Sequence, residues 1–302
     1  MDFDDIITIM EKKEVRIATR DSLLALAQAN IVKDYIERAG YKAILVPMKT
    51  KGDKILDKNL YEIGGKGLFL LELEEALSQG EVDICVHSLK DMPVDMPKEF
   101  PLVGVSYRED ERDVLILPEG TDTWDKSKPL GCSSRRRSHF IKKLFPDITI
   151  EGIRGNINTR LRKLDEGQFG ALILAAAGIK RLGLDYRINR FFDTDEIIPS
   201  AGQGVLGIQA RAGEALPYLE GFFDRDTFVK IRAERAFVRA MGGDCTAPVA
   251  AHAKMLGSEI CLTGWFITED GRELSGHLSG HPSEPEALGE ELAESLLSSN
   301  QR

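Results

Sequence analysis

The sequence predicts two α/β units in tandem, followed by a smaller α+β unit. Short apolar strands alternate with amphipathic helices over residues 15–117, and the alternation restarts after Pro129. That pattern is the mark of βαβ units on a parallel-rich sheet. After a long helix ending near Met241, the pattern changes to three strands and one last helix. A length of 302 residues fits two or three domains at about 100–200 residues each.

In the first unit, residues 15–19 read as a strand and Ser22 as the cap of the next helix. Leu24, Ala27, Ile31 and Tyr35 recur there at helical spacing until Gly40 stops it. Strands are expected over 42–48, 83–87, 102–107 and 113–117, with a helix over 67–79 ended by Gly80. In the second unit, 130–132 reads as a strand and Ser133 or Ser134 opens a helix to about Phe145. A strand over 148–150 follows, and Asn156 then caps a helix over 157–166 closed by Gly167. Next come a strand over 171–174 and a small-residue helix over 175–182. A glycine-rich crossing, 199–207, leads into a strand over 205–210. Asp226 is placed to cap the long helix, with Phe228, Ile231, Ala236 and Val238 on its apolar face. The last unit has strands over 248–254, 260–268 and 272–278 and a helix over 286–297, and no internal sequence repeat is evident.

Composition narrows the class. Hydrophobic residues make up 42% and charged residues 29%, which is ordinary for a soluble globular protein. No apolar run approaches the roughly 18 residues of a membrane span. The acidic start, Met1-Asp-Phe-Asp-Asp, fits neither a signal peptide nor an Arg-rich transit peptide. Cysteines 85, 132, 245 and 261 lack CxxC spacing, so the expectation is free thiols in a reducing cytoplasm, with no disulfide framework and no metal site. A net charge of −9 disfavours nucleic acid and anionic membrane as partners. That average hides an island. Residues 131–190 hold thirteen basic and five acidic side chains, a local charge of +8, which leaves −17 for the remainder. A basic middle inside an acidic chain points to a local anionic ligand.

Three strand-to-helix junctions could cradle that ligand. Gly131-Cys-Ser-Ser-Arg-Arg-Arg137 offers hydroxyls, the exposed N–H groups of a helix start and planar guanidinium groups. Arg154-Gly-Asn-Ile-Asn-Thr-Arg160 repeats the design, and Arg16, Arg20 and Ser22 form a third junction. The plain alternative for each is a solvated helix face. Such junctions converge only if the sheets open on one crevice, as open α/β folds do. Gly64-Gly-Lys66-Gly67 is a flexible lysine-bearing loop without Walker A spacing. In His87-Ser-Leu-Lys-Asp-Met-Pro93, Asp91 stands at a strand's carboxyl end, where a carboxylate among cations stays ionised and can stabilise a cationic intermediate. A loop cap is the other reading of Asp91, and a local hydrogen bond is the expectation for His87. Cys245, in Gly242-Gly-Asp-Cys-Thr-Ala-Pro248, follows a helix bearing Arg232, Arg235 and Arg239, a setting that favours thiolate. It reads as a nucleophile or a covalent anchor.

Taken together these segments resemble the porphobilinogen deaminase (hydroxymethylbilane synthase) family. The match runs through Arg16-Ile-Ala-Thr-Arg20, Lys51-Gly-Asp53, Gly64-Gly-Lys-Gly-Leu-Phe69 and His87 to Pro93. It continues through Arg108-Glu-Asp-Glu-Arg-Asp113, the two later arginine junctions, Ala175-Ala-Ala-Gly-Ile-Lys-Arg-Leu-Gly183, Pro199-Ser-Ala-Gly-Gln-Gly204 and the Cys245 loop. It covers almost the whole chain.

The resemblance implies two domains like a type II periplasmic binding protein with a cleft between them, and a small C-terminal α+β domain. The implied bounds are 1–106 with 202–222, 107–201, and 223–302. It implies a transferase that deaminates four porphobilinogen molecules and joins them head to tail on a dipyrromethane cofactor, which the enzyme builds from its own substrate. Each deamination gives an azafulvene that the terminal pyrrole attacks, and hydrolysis then releases hydroxymethylbilane for tetrapyrrole and haem biosynthesis. Cys245 matches the cysteine that holds the cofactor by a thioether, and Asp91 the catalytic aspartate. Lys66, Ser133, Arg136, Arg137 and Arg160 match cofactor-holding positions. Arg20, Ser22, Arg154, Arg181 and Gln203 match substrate-holding ones. The further expectations are a cytoplasmic monomer that passes its product to uroporphyrinogen-III synthase.

Three departures stand out. Cys132 replaces a commoner Thr, which removes a hydroxyl from the cofactor site and puts a second, oxidisable thiol near the cleft. Arg135 replaces a usual Leu, and Asp244 puts a carboxylate beside the cofactor thiol, which raises that thiol's pKa. Glycines near Gly104 and over 202–207 suggest a hinge between the lobes. The rival readings are a non-catalytic two-lobed carboxylate- or oxyanion-binding protein and a cysteine-dependent transferase without a pyrrole cofactor.

Overall fold

The structure is a computed structural model, and it describes residues 14–50, 70–243 and 247–299. Three sheets organise it. The first contains β1 (Glu14–Arg20), β2 (Lys42–Met48), β3 (Ile84–Ser88), β4 (Leu102–Val105) and β10 (Leu206–Gln209), in the order β2-β1-β3-β10-β4. The second contains β5 (Asp113–Ile116), β6 (Leu130–Gly131), β7 (Ile150–Glu151), β8 (Ala171–Ala175) and β9 (Arg190–Phe191), in the order β7-β6-β8-β5-β9. In each, the first three strands of the order run parallel, and the fourth pairs antiparallel with both of its neighbours. The two sheets thus share one topology, each taking its antiparallel strand from a crossing between the units. This is the expected two-lobed α/β design, with β5 and β10 as the antiparallel exceptions to a parallel-rich reading. The third sheet, β11 (Val249–Leu256), β12 (Glu259–Ile267) and β13 (Glu273–Gly280), is wholly antiparallel.

Seven α-helices complete the described chain: α1 (Leu23–Arg38), α2 (Leu71–Ser78), α3 (Arg135–Leu144), α4 (Ile157–Asp165), α5 (Ala176–Arg181), α6 (Arg225–Ala240) and α7 (Pro285–Ser299). Caps set their starts. Ser22 accepts a hydrogen bond from the Ala25 amide, Ser134 from that of Arg137, and Asn156 from that of Thr159. The cap of α6 is Asp224, two residues before the expected Asp226, and it accepts from Thr227 N at 2.7 Å; Asp226 sits inside the first turn. The expected helix over 67–79 begins at Leu71 within the described residues, and 67–69 lie outside them. The stripe on α1 is rotated from expectation. Ala29, Val32 and Ile36 are its buried apolar residues, whereas Leu23 and Ile31 are exposed. Leu23 and Ala27 line a groove beside Leu161 and Leu182 of the second unit instead. A helix apolar on two sides gives an ambiguous stripe, and the second side here faces the other lobe.

The α6 helix is buried all round over Ala233 to Val238, because it packs there on α7, on the third sheet and on the crossings. Its Glu234 is fully buried and accepts from Arg108 Nη1 and Nη2 at 2.8 and 2.7 Å, from Gly202 N at 2.8 Å and from Ala253 N at 2.9 Å. One carboxylate therefore ties both crossings to the third unit. Trp265 of β12, with 0% exposure, inserts into the core of the second unit with its ring 4.8 Å from Phe140. The crossings also clasp each other. Gly204, at φ +88°, approaches so closely that a Cβ there would lie 2.3 Å from the Glu109 carbonyl oxygen. A Cβ on Gly104 would lie 2.3 Å from the Phe223 ring, so close packing accounts for that glycine.

Candidate active site

The carboxyl ends of the parallel strands in both lobes open onto one cleft, the position where open α/β sheets take ligands. β1 delivers Arg20 and Ser22. β3 runs into a one-turn 3-10 helix, Leu89–Asp91, that presents Lys90 and Asp91. β6 leads into Ser133 to Arg137, the chain after β7 into Arg154 and Arg160, and β8 into α5 with Arg181. A cavity of about 300 Å³ is lined by Lys90, Asp91, Arg137, Arg154 and Arg160, and a second of about 500 Å³ shares all five. The second also takes in Arg20, Ser22 and Arg181, while Ser133, Arg135 and Arg136 line the first. A smaller pocket of about 70 Å³ continues from Asp91 along Arg20 and Ser22. Asp91 is exposed and lines all three spaces.

Asp113 organises the middle of the wall. Its carboxylate has no exposure and sits 2.7 Å from Arg136 Nη1, a close ion contact rather than an aligned hydrogen bond. It accepts from Arg137 Nε at 2.9 Å and from Gln203 Nε2 at 3.0 Å. Burial pushes this carboxyl's pKa up, but the charges of Arg136 and Arg137 outweigh burial and hold it well below the ordinary range. Arg136, 3% exposed, spends a further N–H on the Ile198 carbonyl at 2.6 Å. Arg136, Arg137 and Asp113 together amount to one net positive charge. Gln203 is fully buried behind this group, donating to the Glu111 carbonyl at 2.7 Å and accepting from both Lys90 Nζ and Arg137 Nη2 at 3.3 Å.

Crowding of like charge and burial leaves its mark on the cations. Burial, reinforced by Arg137, lowers the Lys90 ammonium to about 8. Arg160 is lowered by the same two causes in the same order, and its Nε donates to the Gly155 carbonyl at 2.8 Å. Burial lowers Arg181 to about 10, and its Nη2 is tethered to the Gly204 carbonyl at 2.5 Å. His87 borders the pocket of about 70 Å³ but is held by a local partner. Its Nε2 lies 3.1 Å from Gln209 Oε1, and burial pushes the imidazole down to about 4.

The basic island is divided in space. Arg162 pairs with Glu166, Arg187 with Asp165, Arg190 with Glu196, Lys143 with Glu273 and Lys180 with Asp110, all through contacts between 2.5 and 3.1 Å. Arg16, of the third expected junction, pairs with buried Asp83 at 3.2 Å, so Arg20 and Ser22 are the part of that junction that lines the cleft. Ser133 joins the other two junctions: its Oγ accepts from Ile153 N at 2.8 Å and donates to Ile153 O at 2.7 Å. Cys132 is 5% exposed, with its sulfur 3.6 Å from the Ser134 carbonyl in the core of the second unit, so the expected oxidisable thiol near the cleft is a buried one. Lys66, Asp244 and Cys245 lie outside the described residues; Ala247 and Val249, which follow Cys245 in sequence, line the first cavity. Sequence reasoning missed Asp113 as a site residue, although an Asp at the head of an apolar strand is a signal for a buried, paired carboxylate.

The donor set suits a polycarboxylate. Cations surround the cleft, the exposed carboxylates Asp91 and Asp21 lie among them with Asp91 common to all three spaces, and the paired cavities accept an elongated ligand. A dipyrromethane, with two carboxylates on each ring, fits that chemistry. Among the described residues no group of three or more His, Cys, Asp or Glu side chains is arranged to hold a metal ion, and no helix is long and apolar enough to cross a membrane.

Comparison with known proteins agrees. Residues 15–216 match the family described as "Porphobilinogen deaminase, dipyromethane cofactor binding domain", and residues 228–298 match "Porphobilinogen deaminase, C-terminal domain". The porphobilinogen deaminase of Acetivibrio thermocellus is 48% identical over 286 residues, covering 94% of this chain and 98% of the relative. That of Ruminiclostridium josui is 47% identical over 290 residues, covering 95% and 99%. Similar solved structures include a methionine binding protein, at TM-score 0.45 and 11% identity over 72% of this chain and 93% of that one. The Bordetella pertussis BvgS periplasmic VFT2 domain gives TM-score 0.42 and 12% identity, over 76% and 96%. Family models spanning nearly all of the described residues, together with close relatives of matching length, place the chain in the porphobilinogen deaminase family.

Proposed function

We propose that the enzyme deaminates four porphobilinogen molecules and joins them head to tail on a dipyrromethane primer held by Cys245 through a thioether, releasing hydroxymethylbilane. The observation that carries this reading is Asp91, an exposed carboxylate at a strand's end where three cavities walled by cations meet. When bound, the cofactor would supply the nucleophilic pyrrole carbon that takes the first unit, each later unit joining the ring added before it. Asp91 accepts pyrrole N–H groups and stabilises the positive charge that develops as ammonia leaves. Arg136, Arg137 and Arg160, with Lys66 and Ser133, hold the primer's acetate and propionate groups. Arg20, Ser22, Arg154 and Arg181 receive those of the incoming unit. Gln203 is a positioning residue, with hydrogen bonds to Lys90 and Arg137 from behind.

We assign residues 1–106 with 202–222, 107–201, and 223–302 to three domains. The return of β10 to the first sheet supports the split first domain. A cytoplasmic monomer that hands its product to uroporphyrinogen-III synthase completes the proposal. A non-catalytic carboxylate binder would use the same cations but has no work for Asp91.

Replacing Asp91 with Asn tests the reading. Turnover should fall by about 10²–10⁴-fold, the range for a removed acid–base or charge-stabilising group. Intact mass should still show the cofactor. Near-normal product formation in an absorbance assay removes Asp91 from this role.

A further inference from the structure

One cation on the cleft wall does none of the work described so far. Arg135 is exposed at the first position of α3 and lines the cavity of about 300 Å³. The other cations on that wall are engaged. Arg136 and Arg137 hold Asp113, Arg160 donates to the Gly155 carbonyl, and Lys90 donates to Gln203. Arg235, which reaches the cavity from α6, donates to the Pro93 and Val94 carbonyls. Arg154 has an interaction of its own. No hydrogen bond, ion pair or ring contact joins the Arg135 side chain to any described residue.

Its placement is unfavourable on two counts. A cation at a helix N-terminus opposes the helix dipole. Arg135 also adds to a wall already crowded with like charge, where the described acidic side chain on the cavity is Asp91. A bound carboxylate relieves both, because it satisfies the guanidinium and stands at the positive end of α3. The same cavity is lined by Val238, Ala247 and Val249 of the third unit, and Ala247 is two residues from Cys245 in the sequence.

We propose that Arg135 is a further carboxylate anchor, gripping an acetate or propionate of the primer on the side of the cleft nearest the third unit. This rests on the functional reading above. It goes beyond that reading by adding Arg135 to the residues that hold the primer.

The test follows primer assembly on apo-protein supplied with porphobilinogen, by intact mass over time, for wild type, Arg135→Leu and Arg135→Lys. An exposed ion pair sets the scale, so the leucine variant should load roughly five-fold more slowly at low salt. The lysine variant should fall between the two. The deficit should shrink at about 0.5 M KCl, where charge interactions are screened within a few ångströms. Melting temperatures should not fall in either variant, since the exposed Arg135 side chain makes no hydrogen bond or ion pair with a described residue. Loading of the leucine variant at the wild-type rate overturns the proposal, and so does a deficit indifferent to salt. Failure of the wild-type protein to gain any pyrrole mass would instead count against the functional reading itself.

Discussion

Replacing Asp113 with Asn removes one negative charge from behind two buried guanidinium groups and changes almost no volume. Arg136 and Arg137 are 3% and 9% exposed, so neither can turn to solvent for compensation. Breaking a buried pair by removing one partner costs about 3–5 kcal/mol, mostly as an uncompensated buried charge. The lower end applies here. The Asn carbonyl can still accept from Arg137 Nε, now at 2.9 Å, and Ile198 O still accepts from Arg136 at 2.6 Å. A loss of about 3 kcal/mol corresponds to a fall of about 5 °C in melting temperature for a chain of this size, at an unfolding entropy of about 2.1 cal/mol/K per residue. Thermal melting followed by far-ultraviolet circular dichroism reads it directly. Adding Arg136→Met to Asp113→Asn should recover part of the loss, because one stranded charge disappears with it. If Asp113→Asn melts within about 2 °C of wild type, or if the double variant is worse than the single, Asp113 does not neutralise the wall as argued.

Two pH effects follow from the same burial. Lys90 titrates near 8, so kcat/KM for porphobilinogen should fall above that pH as the ammonium is lost, and Lys90→Arg should remove that limb. A profile that keeps its alkaline limb in the arginine variant assigns the limb to another group. The His87 imidazole, pushed down to about 4 by burial, takes up a proton more readily in the unfolded chain. Its contribution to stability is therefore present above about pH 6.5 and is lost as pH falls toward 4, by up to about 3 kcal/mol. Urea midpoints across that range should flatten in His87→Gln, and an unchanged acid limb would contradict the assignment.

Much of this molecule was legible in the sequence because its signals are local. Ser22, Ser134 and Asn156 cap helices where the spacing places them, and each stands at the mouth of the cleft. What was hidden depends on distant partners. The antiparallel β5 and β10 look like members of a parallel series until the crossings deliver each to its sheet. The repeated topology of the two lobes leaves no repeat in the sequence. β9 is two residues long, too short for any periodicity. The strand at 148–150 shifts to Ile150–Glu151, because Ile148 is buried in the core without joining the ladder. In the cleft, the +8 of residues 131–190 was correct as arithmetic but misleading as geometry. Several of its cations pair on outer surfaces, and Arg136 and Arg137 answer to Asp113, eighteen residues before the island begins. The charge that matters is the smaller set around Asp91, which only the meeting of two sheets assembles.

The central claim is that this basic cleft holds a dipyrromethane primer on Cys245. Intact-mass spectrometry of the protein purified from a haem-competent host tests it most directly, with Cys245→Ser measured alongside. The account predicts a wild-type mass above that of the chain by one dipyrromethane and a serine variant at the bare chain mass. A wild-type protein at bare chain mass, or a serine variant that keeps the covalent addition, would contradict it.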